Sequence, residues 1–273
     1  MKTQTIGFIG GGNMARSLIG GLIQSGIAPA QIQVSEPDAV RRDAIVAELK
    51  ITTASSNQSL LDSSDVVVLA VKPQHMQNAL SPLSVSSERS SLFISVAAGL
   101  TCKSIQTWLG EDVALVRTMP NTPALVQAAA TGMYATASVT SAQKDTAESI
   151  MRAVGLTVWV DDEGLLDAVT AVSGSGPAYI FMVMEAMERA GIQLGLKPET
   201  ARLLTLQTTF GAAKLALEIE EPPETLRHRV TSPGGTTEQA IQVLEQGKLL
   251  ELFQQALTAA HRRSIELAKE LGE

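Results

Sequence analysis

The feature that most limits the fold is a run of six apolar residues, Val66 to Val71 ("VVVLAV"), with no polar residue on either face. A half-exposed strand would alternate. A strand of a parallel sheet, covered by helices on both faces, demands a continuous run of this kind. Comparable runs flank it at "TIGFIG" (5–10), "IQVS" (32–35), "LFISVAA" (92–98) and "VALVRTM" (113–119), with weaker ones at "GMYATA" (132–137) and "TVWV" (157–160). Between them lie stretches with helical spacing and charged outer positions, such as Asp38 to Lys50. Alternating strand and helix predict a doubly wound α/β domain over residues 1–161.

After "DDEG" (161–164) the strand signal stops, and residues 162–273 read as all-helical. The segments "AYIFMVMEAMERAGIQLG", "PETARLLTLQTTFGAAKLALEIE" and "KLLELFQQALTAAHRRSIELAKEL" are apolar nearly all round. Helices of that kind are buried on most sides. Here they would stay exposed unless they packed on another chain, so a homodimer through the second half is expected.

Composition removes several function classes. The net charge is −7, aromatics make up 3% of the chain, and no basic stripe is visible, which argues against a nucleic-acid surface. The most apolar later segment, "PAYIFMVMEAM", meets Glu185 well before the roughly 20 apolar residues that a membrane span takes. The N-terminal "MKTQTIGFIGGGNMA" has glycines where a secretory signal carries its apolar core, so the expected location is the cytoplasm. The single cysteine, Cys102, fits a reducing compartment and reads as an inert thiol. No metal is expected.

Three stretches carry the chemistry. The first strand runs into Gly10-Gly11-Gly12-Asn13-Met14-Ala15 and then a helix. This is the dinucleotide fingerprint: Gly10 for the sharp turn, Gly12 for the approach of pyrophosphate, Ala15 for close packing of helix on strand. The second strand ends Val34-Ser35-Glu36-Pro37-Asp38. An acid there bonds the ribose hydroxyls of NAD and repels the extra phosphate of NADP. Arg41 and Arg42 follow one turn later, either to offset that repulsion or as solvated helix residues, and the sequence leaves the choice open.

The second stretch, Ser173-Gly174-Ser175-Gly176-Pro177, reads as a break between helices, with Pro177 opening the next one. Its glycines serve either a close helix crossing or a small substrate. The third, "VTSPGGTTEQ" (230–239), has two readings of equal weight. Thr236 and Gln239 have capping-box spacing, and two glycines before two threonines at a helix start also suit a carboxylate. His75, His228 and His261 read as surface residues away from these motifs. No lysine falls between Lys144 and Lys197, where related hydroxyacid dehydrogenases carry a catalytic base. Oxidising an alcohol needs such a base, whereas a protonated imine accepts hydride directly, so an imine substrate is favoured.

With "LAVKPQ" (69–74), "SVAAG" (95–99), "RTMPNTPA" (117–124) and "TAVSGSGPAY" (170–179), these motifs resemble the pyrroline-5-carboxylate reductase family along the whole chain. The resemblance implies an N-terminal Rossmann domain, a helical domain that interlocks with its twofold mate, and in many members a ring of dimers. It implies NADP(H) as cofactor, with NAD(H) as the alternative because of Glu36, and the reduction of 1-pyrroline-5-carboxylate to L-proline. By position, Gly10, Gly11, Gly12, Asn13, Met14, Ser35, Glu36 and Asn57 meet the pyrophosphate and adenosine side. Ala70, Val71, Lys72, Pro73, Ala97 and Ala98 line the nicotinamide ribose. Ser232, Gly235, Thr236 and Thr237 clamp the substrate carboxylate, and Glu163 falls at a substrate-contact position. Thr170, Glu220 and Thr237 are the polar candidates near the ring nitrogen. The rival readings are a reductase of another small imino or hydroxy acid and a non-catalytic dinucleotide sensor.

Overall fold

The computed structural model describes residues 4–86 and 91–272. By internal packing the chain divides into two units. One comprises Met1–Ser175 with Ala260–Glu273, the other Gly176–Ala259.

The first unit is built on an eight-stranded sheet of order β3-β2-β1-β4-β5-β6-β7-β8. Its strands are β1 (Ile6–Ile9), β2 (Ile32–Ser35), β3 (Thr52–Thr53), β4 (Val66–Leu69), β5 (Leu92–Ser95), β6 (Ala114–Met119), β7 (Ala129–Ala135) and β8 (Gly155–Trp159). Every neighbouring pair is parallel except β6 and β7. The antiparallel step is possible because a short 3₁₀ turn, Thr122–Val126, replaces a crossover helix there. Strand β3 is two exposed threonines on the sheet edge, too short and too polar to announce itself in the sequence.

Side-chain alternation on the central strands splits the core into two layers. Phe8, Val66 and Val68 face α1 (Asn13–Gln24), α2 (Ala39–Leu49) and α6 (Ser141–Arg152), meeting Leu18, Ile19, Leu22, Ile45 and Ile150. Ile9, Val67 and Leu69 face α3 (Asn57–Ser63), α4 (Pro73–Leu80) and α5 (Cys102–Leu109), meeting Leu60, Met76, Leu80 and Ile105. Burial on both faces explains why Val66–Leu69 is apolar at every position. Order reverses at β1, with β2 on one side and β4 on the other, which is the switch point where open α/β sheets hold ligands.

Beyond β8 the chain forms α7 (Leu165–Val169), α8 (Gly176–Gln193), α9 (Pro198–Glu218), α10 (Pro223–Arg229), α11 (Thr236–Gln246) and α12 (Leu249–Gly272). Ser173 and Gly174, the first residues of the expected break between helices, lie in a π-helical turn over Thr170–Gly174, closed by Ser175 N–H donating to Thr170 O at 2.8 Å. The wider ring takes in Ser173 and Gly174, and the expected break falls at Ser175, where the chain bends before α8 opens at Gly176 and Pro177. The later part of α12 belongs to the first unit. Ser264 donates to Asp167 at 2.6 Å, and Leu271 packs with the α3–α5 layer.

Adjacent glycines in α1 provide a test of this packing. A Cβ on Gly21 would lie 2.4 Å from the Ala153 carbonyl oxygen, whereas one on Gly20 meets nothing within 4 Å. Gly20→Ala is expected to stabilise by up to about 1 kcal/mol through helix propensity. Gly21→Ala is expected to destabilise by about 1–3 kcal/mol through overpacking. Urea denaturation of both variants checks the opposite signs.

Candidate functional site

At the carboxyl end of β1 the chain turns through Gly10, whose φ of +96° disfavours any L side chain, and a Cβ there would sit 2.7 Å from the Ala70 carbonyl oxygen. Gly10 N–H donates to Ser35 O at 2.9 Å, tying the loop to β2. Gly12 is the N-cap of α1, with no side-chain cap and open space where a Cβ would be. Buried Ala15 lets α1 pack closely on the sheet. The uncapped helix end therefore presents backbone N–H groups to a cavity, an arrangement suited to an anion.

That cavity, of about 660 Å³, is bounded by Gly10, Gly12, Asn13, Ser35, Glu36 and Asn57 on one side and by Ala70, Val71 and Lys72 on the other. An extended dinucleotide fits its size, its glycine cradle and its donors. Several residues of the motif have other surroundings. Met14 packs against the core, buried Gly11 gives its N–H to Glu36, and Pro73 opens α4. Ala97 is buried just beyond β5, and Ala98 is exposed. Asn57 is a brace as well as a lining residue: its Oδ1 accepts from the Ser35 hydroxyl at 2.6 Å and its amide donates to Ala79 O at 3.1 Å.

His75 is exposed, as expected, but it also borders this cavity, so it does not lie away from the motifs. It stands in the first turn of α4. Lys72, His75, Asn78 and Ala79 recur at helical spacing along the cavity wall, a signal the sequence did contain.

Glu36 is turned inward. Its side chain is 4% exposed. Oε2 accepts from Gly11 N–H at 2.9 Å and lies 3.2 Å from the Arg41 guanidinium, while Oε1 accepts from Asp38 N–H at 3.0 Å. Asp38 in turn caps α2, and the Arg41 backbone N–H holds its carboxyl below the ordinary pKa.

Glu163 lies in the β8–α7 turn of the first unit. Its Oε1 accepts from the buried Arg117 guanidinium and from Cys102 N–H, both at 2.7 Å. One carboxylate thus joins β6 to the start of α5. Thr170 is in the π turn, its hydroxyl proton donated to Leu166 O at 2.7 Å. Asn121 reaches the same turn, donating to Ser173 O at 3.0 Å while accepting from Ala130 N–H.

In the second unit, α11 begins at Thr236 with Gly235 as N-cap, and no side chain caps it. The capping box of Thr236 with Gln239 is therefore absent: Thr236 is already helical, one position too late to cap. Glu238 reaches back instead and accepts from Gly234 N–H at 2.8 Å. Ser232 O accepts from Gly235 N–H at 3.0 Å, closing the turn. The hydroxyls of Thr236 and Thr237 have no partner among the described residues, and exposed Glu220 stands in the α9–α10 link.

The Cys102 thiol is buried and pushed up to about 12, first by desolvation and then by the Glu163 charge. Its pKa exceeds the ordinary value of 9.0, so the native protein should resist alkylation by iodoacetamide at pH 8 while the unfolded chain reacts. Mass spectrometry before and after denaturation checks this.

Two family models match the chain: "Pyrroline-5-carboxylate reductase dimerisation" over residues 163–267 and "NADP oxidoreductase coenzyme F420-dependent" over residues 5–99. The pyrroline-5-carboxylate reductase of Pseudomonas aeruginosa is 50% identical over 273 residues, covering 100% of both chains. The solved structure of a pyrroline-5-carboxylate reductase from Coxiella burnetii aligns with TM-score 0.94 at 50% identity, covering 97% of this chain and 99% of that one. The Plasmodium falciparum pyrroline carboxylate reductase with NADP bound aligns with TM-score 0.84 at 27% identity, over 98% and 99% of the two chains. With a motif-bearing cavity in one unit and relatives that match across both, the chain belongs to the pyrroline-5-carboxylate reductase family.

Proposed function

We propose that this protein reduces 1-pyrroline-5-carboxylate to L-proline, the final step of proline biosynthesis, with NADPH or NADH as hydride source. The observation that carries the reading is likeness over the full length, at 50% identity, to a pyrroline-5-carboxylate reductase, so that neither unit lacks its counterpart. A reduced nicotinamide dinucleotide, when bound, supplies the hydride. The chain's own residues bind, orient and shield.

In the first unit, the α1 N-terminus receives pyrophosphate, and Ala70, Val71, Lys72 and Pro73 with Ala97 and Ala98 form the nicotinamide side. In the second, Ser232, Gly235, Thr236 and Thr237 hold the substrate carboxylate. The free threonine hydroxyls and the uncapped α11 support that role, because an anion supplies the acceptor that the missing cap does not. The substrate arrives as a protonated imine. Hydride forms the new C–H bond at the imine carbon, the C=N electron pair moves to nitrogen, and the ring ends as a secondary amine. No base is needed, so positioning supplies the rate enhancement. Thr237 and Glu220 are the better candidates for holding the ring N–H. Thr170 has committed its proton to Leu166 and is left as an acceptor. Glu163 acts mainly by fixing the turn that precedes the π segment.

The protein is proposed to act as a homodimer in the cytoplasm. Helix α8 has no buried residue, and Phe181, Met182, Leu203, Phe210 and Leu217 are each more than 60% exposed on α8 and α9. A second copy is the fitting cover for such faces. No helix among the described residues is long and apolar enough to cross a membrane. Light scattering should give twice the chain mass of 28.8 kDa, or an even multiple if dimers form a ring.

The direct test follows NADPH and NADH oxidation with pyrroline-5-carboxylate. Proline should inhibit, and simple hydroxyacids should not support the reverse reaction. Thr237→Ala should lower kcat/KM for the imine about tenfold or more while dinucleotide affinity stays near wild type. Equal loss of both would remove Thr237 from the substrate clamp.

A further inference from the structure

Asn121 lies two residues past the end of β6, is 8% exposed, and uses both ends of its side-chain amide. Oδ1 accepts from Ala130 N–H and Nδ2 donates to Ser173 O, each at 3.0 Å. We propose that Asn121 is a positioning residue for hydride transfer. It seats the π turn Thr170–Gly174 at the nicotinamide end of the sheet, and the turn in its place holds the imine ring at transfer distance. This rests on the reaction proposed above and concerns a residue that the resemblance left without a role.

Each bond serves a backbone group that regular structure does not. The last β6–β7 pair is Met119 with Gly132, and continuing that antiparallel register sets residue 121 opposite residue 130. Where the backbone ladder stops, the Asn121 side chain supplies the acceptor for Ala130 N–H. At the other end, Ser173 O would take the N–H of residue 177 in a continuing α-helix, but that residue is Pro177, which has none. Asn121 Nδ2 is the donor in its stead. The hydroxyls of the turn point back along their own helix, Thr170 donating to Leu166 O at 2.7 Å and Ser173 to Val169 O at 3.1 Å. Among the described residues, the Asn121 bond is therefore the polar tie between the π turn and the strands.

The place of that tie gives it a bearing on the reaction. Strands β4, β5 and β6 run parallel, so Leu69, Ser95 and Met119 finish on one side of the sheet. Just past Leu69 and Ser95 stand Ala70–Pro73 and Ala97, on the proposed nicotinamide side. Thr118 donates to Ser95 O at 2.9 Å, and Ser95 Oγ accepts from Ala97 N–H at 3.3 Å. One strand end is thus bonded to the nicotinamide loop through Thr118 and to the π turn through Asn121. A π ring is a poor helix that occurs mostly as a single turn at functional sites, so its seat is set from outside. Misplacing a reactant by about 1 Å can cost on the order of 100-fold in rate.

Steady-state kinetics with pyrroline-5-carboxylate, comparing Asn121→Asp with the wild type, test this role. The carboxylate keeps an acceptor for Ala130 but sets an oxygen against Ser173 O. At neutral pH kcat should fall about tenfold or more, while KM for the imine and the calorimetric affinity for NADPH each change by less than about threefold. Burial raises the pKa of the new carboxyl, and its protonated form donates again, so the ratio of variant to wild-type kcat should climb as pH falls. A loss of NADPH affinity equal to the loss of kcat, or a ratio flat with pH, would overturn the positioning role. Should the variant not fold, hydrogen exchange on the wild type decides. Proline with NADP⁺ should slow exchange of the amides of residues 171–175, and unchanged exchange there would overturn the proposal. Failure of the wild type to reduce pyrroline-5-carboxylate would instead overturn the proposed reaction, a result that involves no Asn121 variant.

Discussion

The loop between β1 and α1 has almost no side chains with which to hold its own shape, so the shape is imposed from β2. Gly10 N–H is fixed by the Ser35 carbonyl and Gly11 N–H by the Glu36 carboxylate. The glycines that allow backbone to approach a ligand are the residues that lose most conformational entropy on ordering. A charged acceptor, desolvated and balanced by Arg41, makes up part of that loss where a neutral one would contribute less. Asn57 extends the brace from Ser35 to Ala79 near the end of α4. The rim of the cavity is thus one connected set of hydrogen bonds from β2 to α4, and its stiffness is a property of the set.

Most of the α/β unit was legible because burial on both faces writes itself as uninterrupted apolar text, as in Val66–Leu69. What escaped was written in other terms. Strand β3 pairs through backbone alone and shows two threonines outward. The direction of β7 depends on a five-residue 3₁₀ turn instead of a pattern within the strand. The π segment hides because its glycines and serines carry the composition of a loop while Asn121 and Ser175 keep its carbonyls paired.

For the site, the motif named the positions but not their duties. Gly10 takes the positive φ of a sharp turn and Gly12 leaves open space where a Cβ would be, since backbone conformation follows from residue type at those positions. Glu36 is turned inward onto Gly11 and Asp38, because whether an acid points outward or inward depends on which N–H groups wait beneath it. His75 was set apart from the site because no motif contains it, although its spacing from Lys72 placed it on the same wall. The capping box at α11 failed by one residue, a shift that frees two hydroxyls and brings Glu238 back onto Gly234.

Helix α12 has a consequence for synthesis. Leu271 fills part of the layer between the sheet and α3–α5, and Ser264 grips Asp167, yet both are made after every strand. A nascent polypeptide leaving the ribosome can pair its strands and bury Phe8 or Val68, but one hydrophobic layer stays unsealed until α12 emerges. The nucleotide-binding unit is therefore a late finisher despite being first in the message, and its half-built form would offer a greasy surface to chaperones while the second unit is being translated.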